Sequence, residues 1–226
     1  MHKYVISEDI KKSAILRRGK LHPYDKLNTE NTALVVIDMQ NAFVEKGAGH
    51  AWVPHAASTC ENINLIAEKI RLKKGLVVWI LNTFEEKSLV NWSHFHEFLS
   101  SKKNLKLRIE SMSEDSYGHK IYKNLKTKKT DIFEKKFFYS AFIQGSSNIN
   151  NILKENKIDH VLIAGTATNV CCESSARDAM MLNYKTTMIS DACSASTDAQ
   201  HTSSLNSFII NFGDVRTTKE VIKILN

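Results

Sequence analysis

The chain has 226 residues, of which 42% are hydrophobic, and α/β chains of this size usually fold as one domain around one core. No apolar run reaches the roughly 18 to 20 residues of a membrane-spanning helix, and the N-terminus lacks the apolar segment of a secretory signal. We therefore expect a cytoplasmic protein without a membrane partner, whose four cysteines are reduced thiols.

Much of the formal charge of +7 lies in lysine-rich stretches at 102–108 and 123–129, which we interpret as a solvated basic face that includes Arg108. Base-stacking aromatics are not interleaved there and no nucleic-acid motif is present, so we expect no nucleic-acid partner.

The first predicted elements lead from a polar arm into a buried strand. Residues 1–31 are mixed in charge, and we interpret them as a partly helical N-terminal arm that covers either the core or a neighbouring subunit. Residues 33–37 are continuously apolar and β-branched, which is typical of a strand buried on both faces of a parallel sheet. A helix is predicted from Ser58, which has capping-box spacing to Glu61, to Lys74.

The later elements continue this alternation. Strands are predicted at 76–81, 130–134, 161–164, 186–189 and near 215, and helices at 146–156, from Cys171, at 198–210 and from Thr218. Residues 84–129 are assigned only short helices, and a long excursion of this kind is typical of a lid or a subunit contact. Alternating strands and helices predict right-handed βαβ units, and hence an α/β fold with a parallel sheet and helices on both faces.

Cys171 stands where a glycine- and threonine-rich turn is predicted to enter a helix. Unpaired backbone N–H groups and the helix dipole at such a position favour the thiolate, which is the nucleophilic form of cysteine. The alternative is that Cys171 is a small buried side chain without reactivity, as most free cysteines are.

Other ionisable residues follow predicted strands. Asp38 comes directly after the first strand, and Lys135 and Lys136 follow the third. Ligands of open parallel sheets bind at the carboxyl ends of the strands, so an acid, a base and the thiol of Cys171 converge on one edge. An aspartate after a strand is most often a turn or cap residue, but the three groups together favour a catalytic site.

Three motifs carry a resemblance to a known family. Residues 35–41 (Val-Val-Ile-Asp-Met-Gln-Asn), 136–142 (Lys-Phe-Phe-Tyr-Ser-Ala-Phe) and 165–171 (Gly-Thr-Ala-Thr-Asn-Val-Cys) resemble, in order and spacing, those of the isochorismatase-like cysteine hydrolases. The resemblance runs from about residue 32 to the C-terminus and implies one domain over 32–226. It further implies a six-stranded, mostly parallel sheet with a Rossmann-like arrangement, usually in homodimers or homotetramers.

The resemblance also implies a catalytic triad of Asp38, Lys136 and Cys171. Lys135 is the alternative lysine, but the spacing of the family motif to Ser140 selects Lys136. Asp38 would act as general base toward the thiol and then as general acid toward the leaving nitrogen. Lys136 would favour the charged nucleophile.

An oxyanion hole is implied by the same resemblance. The family has a cis peptide before the cysteine, which corresponds here to the bond between Thr166 and Ala167. The N–H groups of Ala167 and Cys171 would then stabilise the tetrahedral oxyanion.

Within the family, the chain is most similar to the branch of ureidoacrylate amidohydrolase, biuret hydrolase and N-carbamoylsarcosine amidohydrolase. This similarity implies that Asn82 hydrogen-bonds a ureido or amide group, while Phe43, Phe84 and Tyr139 wall the pocket. Plain core packing is the alternative for the aromatic residues. No arginine stands out as a clamp for a substrate carboxylate, although the net charge favours anionic substrates over long range.

No metal or other cofactor is expected. Nicotinamidases of the superfamily bind a metal through an Asp-x-His…His cluster after the second strand, and that pattern is absent after Leu81. His94 and His96 are two residues apart, which places them on different sides of a helix.

The sequence thus predicts a metal-independent amidohydrolase that cleaves a C–N bond of a small ureido, carbamoyl or carboxamide compound. The reaction would pass through a thioester-type intermediate on Cys171. Vinyl ether hydrolysis, as in isochorismatase itself, and a non-catalytic binding role are the alternatives.

Overall fold

Six parallel strands form the central sheet of the computed structural model, which describes residues 1–225. The strands are β1 (Thr32–Ile37), β2 (Leu76–Asn82), β3 (Ile132–Lys136), β4 (His160–Thr166), β5 (Lys185–Ser194) and β6 (Asp214–Arg216). Their order across the sheet is β3-β2-β1-β4-β5-β6, and each neighbouring pair is parallel. The predicted parallel α/β sheet is confirmed, with β1 at its centre.

The helices lie on both faces of this sheet. They are α1 (Glu8–Arg18), α2 (Asn41–Val44), α3 (Cys60–Leu72), α4 (Lys87–Asn91), α5 (Ser93–Phe98), α6 (Lys102–Met112), α7 (Ile149–Glu155), α8 (Glu173–Met181), α9 (Asp198–Asn211) and α10 (Thr218–Ile224). Apolar residues of α3 and α10 belong to one buried cluster, and those of α7, α8 and α9 belong to another. Within residues 1–225, every helix is too short or too polar to traverse a bilayer.

The strand β1 separates the two halves of the core. Ala33, Val35 and Ile37 belong to the cluster beneath α7, α8 and α9, whereas Leu34 and Val36 belong to the cluster beneath α3 and α10. Successive side chains of a strand point to opposite faces, so a strand covered on both sides must be apolar throughout. This burial fixes the end of β1, and with it the position of the residue that follows.

The N-terminal arm packs on its own chain. The Tyr4 hydroxyl donates to the Asn206 side chain at 3.0 Å, and Arg18 Nη1 donates to the Gly213 carbonyl at 2.9 Å. The arm therefore packs against α9 and the loop before β6 of its own chain.

The predicted capping box at Ser58 is wrong. Residues 56–59 form a 3₁₀ turn, α3 begins at Cys60, and the Ser58 hydroxyl donates to the His55 carbonyl at 2.7 Å instead of accepting from Glu61. Serine side chains compete with helix capping through such local bonds to the backbone. A capping box does occur at α10, between Thr217 and Glu220.

Asp131 ties the edge strand β3 to the rest of the sheet. Its buried carboxylate accepts hydrogen bonds from Arg71 Nε at 2.8 Å, from Trp79 Nε1 at 2.8 Å and from the Lys128 backbone N–H at 2.8 Å. Burial alone would raise the pKa of Asp131, but these donors outweigh it and hold the pKa below its usual value. One carboxylate thus joins α3 and β2 to the start of β3.

Replacing Asp131 with Asn should lower the free energy of unfolding by about 2 to 3 kcal/mol at neutral pH, because hydrogen bonds to a charged group are lost. A carboxylate with a lowered folded-state pKa stabilises fully above its unfolded-state pKa of about 4, and this contribution disappears as the pH falls through the folded-state value. In urea titrations, the gap between wild type and Asp131→Asn should therefore shrink below about pH 4.

The matched control is Asp159→Asn, which removes an exposed carboxylate that precedes β4 and pairs with Lys185 at 2.8 Å. Its effect should stay below about 1 kcal/mol, as is usual for surface ion pairs. Equal stability of Asp131→Asn and wild type at pH 7 would contradict the anchoring role of Asp131.

Candidate active site

The carboxyl edge of the sheet brings Asp38, Lys136 and Cys171 together. The strand β3 ends two residues later than predicted, so Lys135 and Lys136 are its last two residues instead of following it. Since side chains alternate along a strand, only one lysine faces the site. Lys135 is partly exposed and pairs with Glu114, whereas Lys136 is fully buried.

The ammonium group of Lys136 is the centre of the site. Its Nζ lies 2.9 Å from Asp38 Oδ2, 3.5 Å from Cys171 Sγ and 3.0 Å from the Phe138 carbonyl. Two of its N–H donors are used by the Phe138 carbonyl and the Cys171 sulfur, and the contact with Asp38 is an ion pair. One buried cation therefore contacts both the carboxylate and the thiol.

The backbone places Asp38 directly behind β1. Its N–H donates to the Ile80 carbonyl of β2 at 3.0 Å, and its φ of +54° lies in the left-handed region that aspartate tolerates better than most residues. Gly165 of β4 lies beside Ile37, and a Cβ added to it would come within 2.0 Å of the Ile37 carbonyl oxygen. Only glycine permits this approach of β4 to the end of β1.

Cys171 lies in a π-type turn at Thr168–Cys172, and α8 begins at Glu173. The prediction that the helix begins at Cys171 is therefore wrong by two residues. The N–H of Cys172 donates to the Ala167 carbonyl at 3.1 Å, which closes the turn. Turns of this kind are frequently found at functional sites.

The two residues expected to supply the oxyanion donors lie directly before this turn, at Ala167, and within it, at Cys171. The peptide bond between Thr166 and Ala167 is cis. Ala167 and Cys171 both line the same cavity. The turn is held from outside by α9, where the Ser204 hydroxyl donates to the Thr168 carbonyl at 3.2 Å.

Electrostatics keep the thiol protonated at rest. Burial raises the pKa of Cys171 to about 12, opposed by the charge of Lys136 and reinforced by that of Asp38. The expectation that the thiolate is favoured at this position is wrong, because burial of the sulfur outweighs the other influences. Burial also raises the pKa of Asp38, only partly offset by Lys136. For Lys136, the neighbouring Asp38 and Cys171 outweigh burial and raise the pKa, so the lysine stays charged.

The cavity in front of Cys171 encloses about 290 Å³, at the small end of the range for ligand sites. Of the residues predicted to contact a substrate, Phe43, Asn82 and Tyr139 line it. Phe84 does not, since it packs behind the wall against Phe43 and Met112. Core packing, the alternative interpretation of the aromatic residues, therefore describes Phe84.

The position of Asn82 is set by Gln40. The Gln40 side chain accepts from the Asn82 N–H at 2.8 Å and donates to the Asn82 carbonyl at 3.1 Å and to the His119 carbonyl at 2.8 Å. Asn82 is also the register partner of Lys136. The Asp-Met-Gln sequence after β1 thus supplies both the acid and the group that holds the end of β2.

Sequence reasoning missed several cavity residues from the segment between β2 and β3. Phe95, Leu99, Asn104 and Arg108 all line the cavity. The assignment of Arg108 to a solvated basic face is wrong, because the residue is only 4% exposed. The helical spacing of Arg108 to the buried Met112 on α6 was the signal that could have identified it.

Another missed cavity residue is His50, whose ring packs edge-on against Phe43 at 5.4 Å. Burial, aided by the charges of Arg108 and Lys136, lowers the pKa of His50 to about 3. His50 is therefore neutral at physiological pH.

Potential metal ligands lie elsewhere. His94 is exposed and His96 is buried, so they lie on different sides of α5. Within residues 1–225, the side chains of His2, His55 and Asp198 form a group whose ligand atoms lie within 4.8 Å of one another. None of these three residues lines the cavity of Cys171.

The chain is similar in sequence to several known proteins. Ureidoacrylate amidohydrolase RutB of Agrobacterium fabrum is 29% identical over 178 residues, covering 74% of this chain and 77% of that protein. A probable inactive nicotinamidase of Arabidopsis thaliana is 30% identical over 178 residues, covering 77% of this chain and 86% of that protein.

Among solved structures, the N-carbamoylsarcosine amidase of Thermoplasma acidophilum has the same fold, with a TM-score of 0.64 and 24% identity over 83% of this chain and 96% of that one. The family model described as the isochorismatase domain matches residues 32–220, which is most of the chain. The chain therefore belongs to the isochorismatase family.

Proposed function

We propose that the chain is a cysteine amidohydrolase that cleaves a C–N bond of a small ureido, carbamoyl or carboxamide compound. The observation that carries the proposal is the contact of Lys136 with both Asp38 and Cys171 at the edge of a small cavity. An acid, a buried cation and a thiol in contact are the components of nucleophilic catalysis with an activated cysteine. The ureidoacrylate amidohydrolase relative supports the class of reaction.

In the first half of the reaction, Asp38 takes the thiol proton of Cys171 as the sulfur attacks the substrate carbonyl carbon. Lys136 stays protonated and balances the negative charge that passes from the carboxylate to the sulfur. The N–H groups of Ala167 and Cys171 stabilise the tetrahedral oxyanion. The C–N bond then breaks, and the departing nitrogen takes the proton from Asp38.

In the second half, a water molecule replaces the departed amine. Asp38, again unprotonated, takes a proton from this water as the oxygen attacks the thioester carbonyl. The C–S bond breaks, the sulfur of Cys171 recovers the proton, and the acid product leaves. With a ureido substrate the products include ammonia, and the carbamate that forms can decompose further to carbon dioxide.

Asn82 is suited to hold the substrate amide. Its side-chain oxygen accepts from Arg108 Nη2 at 3.3 Å, which leaves the amide N–H groups to donate to a carbonyl oxygen. Phe43 and Tyr139 provide flat apolar walls on which a planar ureido group can lie.

The purified chain should release ammonia from a panel of N-carbamoyl amino acids, ureido compounds and small carboxamides. Cys171→Ala should lower kcat on the order of 10⁴-fold or more, because the nucleophile is lost. Cys172→Ala, which alters the neighbouring buried cysteine, is the matched control and should stay within a few-fold of wild type.

The same assay tests the absence of a metal requirement, since EDTA should leave ammonia release unchanged. Activity that survives Cys171→Ala, or that disappears with EDTA, would contradict the mechanism. Release of pyruvate from isochorismate without any ammonia release would instead indicate ether hydrolysis, and inactivity toward both kinds of substrate would favour a binding role.

The buried ion pair should appear in a double-mutant cycle. Asp38→Asn and Lys136→Met should each lower the free energy of unfolding by about 3 to 5 kcal/mol, because each leaves a buried charge without its partner. The double variant should lose clearly less free energy of unfolding than the sum of the two single losses, since neither charge remains. All three variants should be inactive.

The control cycle combines Lys136→Met with Asp159→Asn, whose side chains do not interact. These two effects should add within about 0.5 kcal/mol. Additive losses for Asp38→Asn and Lys136→Met in urea titrations would show that the pair is not coupled.

A further inference from the structure

Arg108 is a buried cation inside the catalytic cavity. It projects from α6, lines the cavity that contains Cys171, and is only 4% exposed. Its Nη2 donates to Asn82 Oδ1 over a long 3.3 Å, and its Nε has no hydrogen-bond partner among residues 1–225. Most of the five N–H donors of this guanidinium therefore have no partner among the described residues.

The charged and ionisable neighbours of Arg108 do not neutralise it. Asp38 is already paired with Lys136 at 2.9 Å. Burial raises the pKa of Cys171 to about 12 and also raises the pKa of Tyr139, so both stay protonated and neutral. Arg108 has no ion pair with any carboxylate in the described part of the chain.

Two histidines near the guanidinium carry no compensating charge either. Burial and the charge of Arg108 lower the pKa of His50 to about 3 and lower the pKa of His96 as well. With Asp38 and Lys136 cancelling each other, the cavity retains one net positive charge, that of Arg108.

Two other arginines with little exposed side chain have carboxylate partners. Arg71 pairs with Asp131 at 2.6 Å, and Arg216 pairs with Asp214 at 2.8 Å. A guanidinium does not deprotonate in proteins, and a buried charge without a partner is strongly unfavourable. Unlike these two arginines, Arg108 has no carboxylate partner among the described residues. It also lines the cavity that contains Cys171.

Aromatic rings hold the guanidinium in place. Its central carbon lies 5.5 Å from the ring centre of Trp92 and 5.3 Å from that of Phe95. Such cation–π contacts orient the group without using its in-plane N–H donors. The donors thus remain in a fixed fork, which is the arrangement that matches a carboxylate.

We propose that Arg108 binds the carboxylate of the substrate, so that the enzyme acts on a ureido or carbamoyl acid in preference to a neutral amide. This inference rests on the proposed amidohydrolase function and narrows its substrate class. Asn82, which contacts Arg108, holds the reacting amide beside the bound carboxylate.

The first test compares N-carbamoyl-β-alanine with N-propylurea, a neutral ureido analogue in which a methyl group replaces the carboxylate. Wild type should prefer the acid, and Arg108→Gln should lower kcat/KM for the acid about 100-fold, mainly through KM, since a charge-assisted bidentate contact is lost. The kcat/KM for the neutral analogue should fall clearly less than that for the acid, and an unchanged circular dichroism spectrum should show that the variant is folded. Arg108→Lys keeps the charge but loses the paired N–H donors of the guanidinium, so its kcat/KM for the acid should lie between those of wild type and Arg108→Gln.

Lys106→Gln is the matched control, because it removes the same charge from an exposed residue of the same helix. It should leave both substrates unchanged. Equal losses for acid and neutral substrate in Arg108→Gln would overturn the proposal and assign Arg108 to stabilisation of the Cys171 thiolate. A wild type that prefers the neutral analogue would also overturn it.

The second test needs no turnover. Iodoacetate and iodoacetamide both alkylate Cys171 and release iodide, but only the former carries a carboxylate. The ratio of the two alkylation rates, followed by mass spectrometry of the Cys171 peptide, should fall at least tenfold in Arg108→Gln and stay unchanged in Lys106→Gln.

An unchanged ratio, or a parallel fall in both rates, overturns the role of Arg108 in anion binding. If wild type hydrolyses neither substrate, the amidohydrolase function fails, and the alkylation ratio still decides whether Arg108 recognises an anion.

Discussion

The buried ion pair between Asp38 and Lys136 is the interaction on which the rest of the site depends. Both side chains are fully buried, and two charges removed from water stabilise each other only when their geometry is held closely. The pair therefore imposes a requirement on the sheet, because the ends of β1 and β3 must be fixed although β2 lies between them. The Asp131 network fixes the start of β3, and the close approach of Gly165 to Ile37 fixes the end of β1.

In the proposed mechanism, the same pair allows a thiol with a raised pKa to serve as a nucleophile. Lys136 contacts the carboxylate and the sulfur together, so moving a proton from Cys171 to Asp38 shifts negative charge between two positions beside one cation. Little charge separation is created, although both groups lie out of water. Burial keeps the resting sulfur protonated and protects it from oxidation, which proceeds through the thiolate. In the proposed mechanism, reactivity comes from this proton transfer and not from a helix terminus.

The fold and the convergence of Asp38, Lys136 and Cys171 could be predicted from the sequence because each depends on local patterns. Apolar, β-branched runs identified the buried strands, and the residues after them identified the edge where Asp38 and Lys136 meet. Properties that depend on burial could not be predicted from the sequence. The protonated state of Cys171 follows from its burial. Phe43 lines the cavity, whereas Phe84 packs behind it. Ser58 donates to a nearby carbonyl instead of capping a helix. Arg108 was misassigned because lysines surround it in sequence, while only its helical spacing placed it on the inner face of α6.

One side of the cavity wall comes from a part of the chain that contains neither the ion pair nor the thiol. Asp38 follows β1, Lys136 ends β3 and Cys171 lies in the turn after β4. The segment between β2 and β3 instead contributes four cavity residues, Phe95, Leu99, Asn104 and Arg108. Mutations, insertions or exchanges in that excursion can therefore change what the cavity admits without disturbing the ion pair. This separation makes the segment a natural unit of divergence after gene duplication, and a defined target for transplanting specificity between members of the family.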